Sequence, residues 1–188
     1  MPSLLHGTNL DHALKPWRPT SGGSVTNKTP ESFYAGLPRK RVGAGALITD
    51  ASGRVLVVEQ TYRTTCEVPG GVVEASETAP AACARECREE LGIDVAVGRL
   101  LVTEHQTEDS FKGDSIMYIY DGGVVSDPGT IRIAADEIRS FRFVQPDDLH
   151  ALMTAKLARR LAAALRARAG GIVVELENGV ERQPPGRL

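Results

Sequence analysis

The sequence predicts an α+β fold of the α/β/α sandwich kind, on three observations. Short apolar runs of strand character recur between turn signals from Arg41 onward. Two longer segments read as helices, over 78–91 and 147–169. The strands and the two helices come in mixed order, which points to a compact α+β or α/β/α sandwich. With 188 residues, 41% of them hydrophobic and 24% charged, the chain has the length and composition of about one globular domain.

Taken in order, residues 1–38 differ from the rest of the chain. They run through Lys15-Pro16-Trp17-Arg18-Pro19 and Ser21-Gly22-Gly23-Ser24 with little periodicity. This reads as an N-terminal arm, too small to bury a core of its own. Trp17, Phe33 and Tyr34 give it aromatic surface, so it is expected to pack on the body or on a second copy of the chain, as a homodimer. The body is expected over 39–188. Residues 42–49 and 54–60 read as a hairpin around the turn Asp50-Ala51-Ser52-Gly53. Next comes a strand broken by Pro69-Gly70-Gly71. The helix over 78–91 has Thr78 as N-cap, Pro80 in its first turn and Gly92 as its stop. Further strands are expected at 95–103, 115–121 and 138–144. The helix over 147–169 aligns Leu149, Leu152, Leu157, Leu161 and Leu165 as a packing stripe, with Lys156, Arg159, Arg160, Arg166 and Arg168 as a basic outer face. In the tail, Asn178-Gly179 predicts a hairpin over 172–181.

Acids (24) nearly balance bases (22), for a net charge of −2, so there is no basic footprint for duplex nucleic acid. No run approaches the ~18 apolar residues of a membrane span. The three cysteines, Cys66, Cys83 and Cys87, are an odd and sparse set for a disulfide framework. A reducing cytoplasm is the expected setting. Cys83 and Cys87, four apart on an apolar stripe, read as core thiols; a zinc site from these three and His105 lacks any recognised ligand spacing.

The chemistry concentrates on the first helix. On a helical wheel, Pro80, Cys83, Ala84, Cys87 and Leu91 form the buried stripe, and Glu86 and Glu90 lie within ~40° of each other at its edge. Glu89 lies ~60° to the other side of Glu86. All three acids sit at the helix C-terminus, where the macrodipole disfavours negative charge. Arg85 can pair with Glu89 at i,i+4, but Glu86 and Glu90 have no Lys or Arg at i±3 or i±4. A divalent cation would turn that repulsion into coordination, and carboxylate and carbonyl oxygens suit magnesium or manganese.

Gly71, five residues, Glu77, seven residues and Arg85-Glu86-Cys87-Arg88-Glu89-Glu90-Leu91-Gly92-Ile93 together resemble the complete Nudix box, with Cys87 where that family has Ile, Leu or Val. The resemblance implies a Nudix-type sandwich with a mixed β-sheet. It also implies divalent-metal-dependent hydrolysis of a pyrophosphate bond in a nucleoside diphosphate linked to another moiety, with Mg2+ as cofactor and Mn2+ as its substitute. Residue by residue, Glu86 and Glu90 match the principal metal ligands, Glu89 a further ligand or water-activating carboxylate, and the Gly71 carbonyl a backbone ligand. Arg85 and Glu77 match a supporting ion pair. The family often recruits one more acid from a distant loop. Asp136 and Glu137, at the start of the strand over 138–144, are the candidates, with Glu104, Glu108 and Asp109 as rivals. The implied partners are small nucleotide-type substrates, from nucleoside triphosphates through ADP-ribose and dinucleotides to capped RNA, and neither a membrane nor duplex nucleic acid. Cys66 stands where many members have a Trp. A catalytically silent domain that senses a nucleotide or binds a partner is the alternative, though a sensor has no need to keep Glu86, Glu89 and Glu90 together.

Overall fold

The computed structural model describes residues 29–107 and 113–182. The chain divides between Pro38 and Arg39. Before that division, Thr29 caps a short helix, α1 (Pro30–Ala35), by accepting from the Ser32 N–H, and none of its residues is buried. Trp17, the rest of the arm to residue 28, and the rival acids Glu108 and Asp109 lie outside the described residues.

Beyond Arg39 the described strands form one mixed sheet: β1 (Arg41–Asp50), β2 (Val55–Gln60), β3 (Cys66–Glu67), β4 (Gly70–Val72), β5 (Leu100–Gln106), β6 (Ser115–Val125), β7 (Ile138–Val144), β8 (Val174–Glu177) and β9 (Val180–Glu181). Their order is β3-β2-β1-β6-β5-β8-β9, with β4 also on β1 and β7 also on β2. Helices α2 (Ala79–Leu91) and α3 (Ala155–Gly170) cover its two faces. The period-2 alternation of strand side chains divides the core between them. Ala44, Ala46, Ile48, Leu56 and Val58 pack with Ala82, Cys83, Cys87 and Leu91 of α2, whereas Leu47, Val55 and Val57 pack with Leu157, Leu161 and Ala164 of α3. This is the α/β/α sandwich.

The β1–β2 hairpin is shallower than its sequence suggests. The two strands pair at Thr49↔Val55 beside the turn and then part. Further along, the same edge of β1 pairs with β4, through Gly43↔Val72, Ala44↔Gly71 and Gly45↔Gly70, while β2 pairs with β3 and, on its other edge, with β7. The segment through Val68 and Pro69 therefore fills a wedge between β1 and β2. Only glycine suits its apex, because at φ +148° a Cβ on Gly70 would collide with the Ala44 carbonyl oxygen and the Gly45 Cα.

Helix α2 runs as the local signals dictate: Thr78 accepts from Ala81 N–H, and Gly92, at φ +65°, closes the C-terminus by donating to the Arg88 carbonyl. The expected helix over 147–169 is instead two pieces. A 3-10 segment spans Pro146–Ala151, and α3 starts at Ala155 with Thr154 as its cap, accepting from Leu157 N–H. The break frees the Leu152 carbonyl to accept from Cys66 N–H at 2.8 Å, so the sheet edge stops the helix from running through. The strand expected from 95 begins only at Leu100; Val95 and Val97 pack on the α2 side without joining the sheet. At the C-terminus, β8 and β9 pair antiparallel around Asn178 (φ +50°) and Gly179 (φ +81°), the left-handed pair that a two-residue hairpin turn requires.

All three cysteines are free thiols and buried. Cys66 lies on the α3 side of the sheet and Cys83 and Cys87 on the α2 side, which rules out the zinc grouping. The basic face of α3 also needs correcting. Arg160 is only 7% exposed and pairs through its Nε with Glu104 of β5, which is 0% exposed. Arg168 turns inward too, donating to the Leu47 carbonyl and pairing with Asp121 at 2.7 Å. An amphipathic count places apolar residues correctly but does not register a polar partner waiting on the facing strand. Because Glu104 Oε1 already lacks a hydrogen bond, removing its cation leaves a bare charge in the core. Arg160→Met should therefore cost about 3–5 kcal/mol. The double variant Arg160→Met/Glu104→Leu should regain most of that loss in denaturant unfolding.

Candidate active site

Two of the helix α2 acids, Glu86 and Glu90, face the wedge between β1 and β2. Glu90, at 2% exposure, accepts from the Gly70 N–H at 3.0 Å. Glu86 lies against Gly71 so closely that a Cβ there would overlap its carboxylate. The two glycines after Pro69 thus serve different ends. Gly70 permits the strand contact, and Gly71 makes room for Glu86.

Arg85 ties this corner together with five hydrogen bonds. Its Nε and Nη2 hold Glu77 in a fork at 2.9 and 3.1 Å, and Nη2 also reaches the Val72 carbonyl at 3.0 Å. Nη1 donates to Glu86 at 2.9 Å and to Glu89 at 2.8 Å. Glu77 in turn accepts from the Glu74 N–H at 3.0 Å, so the loop between β4 and α2 is clamped to the helix. Arg85 is held protonated, its pKa raised chiefly by Glu77. Contrary to expectation, Glu86 does have a basic partner, because the neighbouring Arg85 side chain is long enough to reach it at i−1.

A distant segment completes the site. The loop before β7 docks on the end of α2, where Arg132 N–H donates to the Leu91 carbonyl and Ala134 N–H to the Glu90 carbonyl. A turn then brings Glu137 N–H and Ile138 N–H back to the Ala134 carbonyl. Thr61 fastens the turn to β2, its N–H on the Glu137 carbonyl at 2.8 Å and its Oγ1 on the Asp136 carbonyl at 3.0 Å.

The result is a cleft of about 760 Å³ lined by Gly70, Gly71, Glu86, Glu90 and Glu137, with Arg63, Lys156 and Arg160 elsewhere on its wall. Of the residues expected from sequence, Gly71, Glu86, Glu90 and Glu137 come together there. Glu89 does not: it is 54% exposed and turned to Arg85. Arg85 and Glu77 stand behind the cleft, Asp136 is represented at the junction by its backbone, and Glu104 belongs to the α3-side ion pair. One lining residue was missed. Gln60, 8% exposed, presents its amide to Glu90 as a donor, while its Oε1 is buried with no partner. Its signal was in the sequence, as a polar residue at the α2-facing position of the alternation Leu56, Val58, Gln60.

Burial and crowding set the electrostatics. Burial pushes the Glu90 carboxyl up to about 7; the Gly70 N–H and the Gln60 amide oppose the shift, while the charges of Glu86 and Glu137 add to it. Burial likewise raises Glu86, against the pull of Arg85.

The model of the NUDIX domain family matches residues 39–165. The chain belongs to the NUDIX domain family. A MutT-like protein of Streptomyces ambofaciens is 38% identical over 63 residues, a stretch spanning 34% of this chain and 41% of that relative. The crystal structure of a MutT NUDIX hydrolase from Burkholderia pseudomallei is similar at a TM-score of 0.56 and 26% identity, over 67% of this chain and 97% of that one. The NUDIX domain of Shewanella oneidensis NrtR, crystallised with ADP ribose, shares the fold at a TM-score of 0.59 and 15% identity, over 76% of this chain and 94% of that one.

The Glu90 shift makes the stability of this NUDIX domain pH-dependent when no metal is bound. The folded carboxyl titrates at about 7 against an ordinary 4.5. Between these values the folded state keeps a proton that the unfolded chain has released. Stability is therefore full below about pH 4.5 and falls as pH rises to about 7, by on the order of 3 kcal/mol. Denaturant unfolding from pH 4.5 to 8 in a chelator should show that slope, and Glu90→Gln should flatten it.

Proposed function

We propose that this NUDIX domain hydrolyses a diphosphate bond in a nucleoside diphosphate linked to another moiety, with Mg2+ or Mn2+ held by the α2 carboxylates. The observation that carries this reading is the convergence of Glu86, Glu90 and Glu137 on one cleft beside the backbone of Gly70 and Gly71. Three like charges around a partly dry cleft are costly alone and favourable around a cation.

The donor set fits such an ion. Its members are hard oxygen ligands, Glu90 is buried among acids, and Gly71 leaves its neighbourhood open for the Glu86 carboxylate. As they stand, no three His, Cys, Asp or Glu side chains among the described residues are gathered as a ready cage. Arg85 accounts for that, drawing both Glu86 and Glu89 to its Nη1. On this reading Glu86, Glu90 and the Gly71 carbonyl hold the ion, and Glu89 joins them by leaving Arg85. A divalent ion, when bound, neutralises a diphosphate and lowers the pKa of a bound water. The Glu77–Arg85 fork keeps the loop that follows β4, and with it Gly71, against α2, which is a positioning role. Glu137 is the proposed general base, since it lines the cleft and stands outside the Arg85 cluster.

A panel of nucleoside triphosphates, ADP-ribose, dinucleotides and capped RNA, with Mg2+ and with Mn2+, tests the reading. The expected product is a nucleoside monophosphate, formed only when metal is added. Tight binding of a panel member with no turnover would favour the sensing alternative. Glu90→Gln should fold and lose turnover by orders of magnitude at saturating metal. Glu137→Gln should lower kcat by about 10²-fold or more with little change in Mn2+ affinity, while Asp136→Asn stays within a few-fold of wild type. Turnover of both Glu90→Gln and Glu137→Gln near wild type would remove the assignment.

A further inference from the structure

We infer that Arg160 reads the nucleobase of the substrate, its two Nη groups donating to two neighbouring acceptors on the base edge; that a nucleotide is bound at all rests on the hydrolase reading above. Arg160 lines the cleft from α3 and is 7% exposed. Glu104 accepts from its Nε. Among the described residues, neither Nη has a hydrogen-bond partner. Nor is either sealed off, since the described buried side-chain atoms without a partner are Gln60 Oε1, Glu104 Oε1 and Arg168 Nε. A nearly buried guanidinium therefore opens on the cleft with its Nη hydrogens uncommitted.

Glu104 aims this group. For stability alone, a buried pair adds little that two apolar side chains would not supply. Held at its Nε, however, the planar guanidinium keeps one orientation, and its Nη end is left to a ligand. The charges nearby are already matched, Arg160 by Glu104 and Arg63 by Glu67 at 3.0 Å. A phosphate would add negative charge beside Glu104, which is 0% exposed, and near Glu67, whose charge interacts with Arg160. A neutral acceptor carries no such cost.

The cleft residues that belong to the α3-side core, Val68, Ile119 and Leu157, are apolar. Met117, also on the cleft, lies so close to β1 that a Cβ on Gly43 would collide with its Cε and Sδ. A thioether packs well against an aromatic ring. A sugar would ask these residues for hydrogen bonds they cannot make, whereas a nucleobase gives them an apolar face and keeps its acceptors at the edge. Guanine presents O6 and N7 side by side, the pair that a guanidinium fork matches. Cytosine likewise presents O2 and N3. On adenine, N1 and N7 each adjoin the amino group, a donor that a guanidinium cannot accept from. Arg160 is thus a specificity-determining residue.

The panel member turned over fastest is compared in its guanine and adenine forms, as GTP with ATP or GDP-ribose with ADP-ribose. Wild type should favour the guanine form by about 10- to 100-fold in kcat/KM. Arg160→Met/Glu104→Leu removes the guanidinium without stranding Glu104, and should bring that ratio to within about threefold of one. Should the double variant not fold, Arg160→Lys, which keeps a charge for Glu104 and loses the fork, should lower the ratio by about fivefold or more. A merely structural Arg160 would lower turnover of both forms alike and keep their ratio. That result, or a wild-type ratio near one, overturns this inference alone. So does Arg160-dependent competition by inorganic phosphate, which would make the place an anion site. If the wild type hydrolyses nothing in the panel, equilibrium binding of GTP and ATP with Mg2+ decides. An Arg160-dependent preference for GTP then sustains base reading and removes the hydrolase reading, and its absence overturns both.

Discussion

The close approach of helix α2 to a stretch of strand that has no side chains is the constraint on which the cleft depends. Glu90 reaches the Gly70 N–H, and Glu86 lies over Gly71, because neither glycine carries a Cβ to keep the helix away. That stretch exists because β1 and β2 separate just beyond their turn, and the chain through Val68 and Pro69 is laid into the gap. Closing the gap with an ordinary hairpin would give a better ladder and no cleft. The carboxylates are then held in a partly dry place, where burial raises both Glu86 and Glu90.

Two ion systems stabilise the sheet from opposite faces, and they differ in kind. On the α2 side, Arg85 spreads its guanidinium over Glu77, Glu86 and Glu89 at a half-exposed corner, with enough donors to release one acid and keep the others. On the α3 side, Arg160 and Glu104 form a buried pair under a helix, which favours a single packing and tolerates no loss. Of this pair, Arg160 also lines the cleft.

Glu137 reaches the cleft through backbone contacts and not through its own side chain. The carbonyls of Glu90 and Leu91 capture the loop before β7, a tight turn reverses it at Ala134, and Thr61 pins the turn to β2. Because α2, β2 and β7 meet at this junction, Gln60, Glu90 and Glu137 keep their relative places. The neighbouring Asp136 spends its carbonyl on the junction and lines no part of the cleft.

Much of this was already determined by the sequence alone, wherever the cause is local. Thr78 and Gly92 bound α2 because a cap and a left-handed stop act within one turn. Strand β7 runs over the expected residues, and the spacing from Gly71 through Glu77 to Glu90 pointed to the family. What only the tertiary structure decided depends on contacts between segments far apart in the chain. It broke the helix over 147–169 at Thr154, where the Leu152 carbonyl meets Cys66, and it turned Arg160 inward to Glu104. It gave Glu86 a partner in Arg85, sent Glu89 outward, set Glu137 but not Asp136 on the wall of the cleft, and left Gln60 Oε1 without a partner. The physical reason is that a polar side chain's partner is set by strand register and by which loop docks on which helix end. Neither is written in the residues immediately around it.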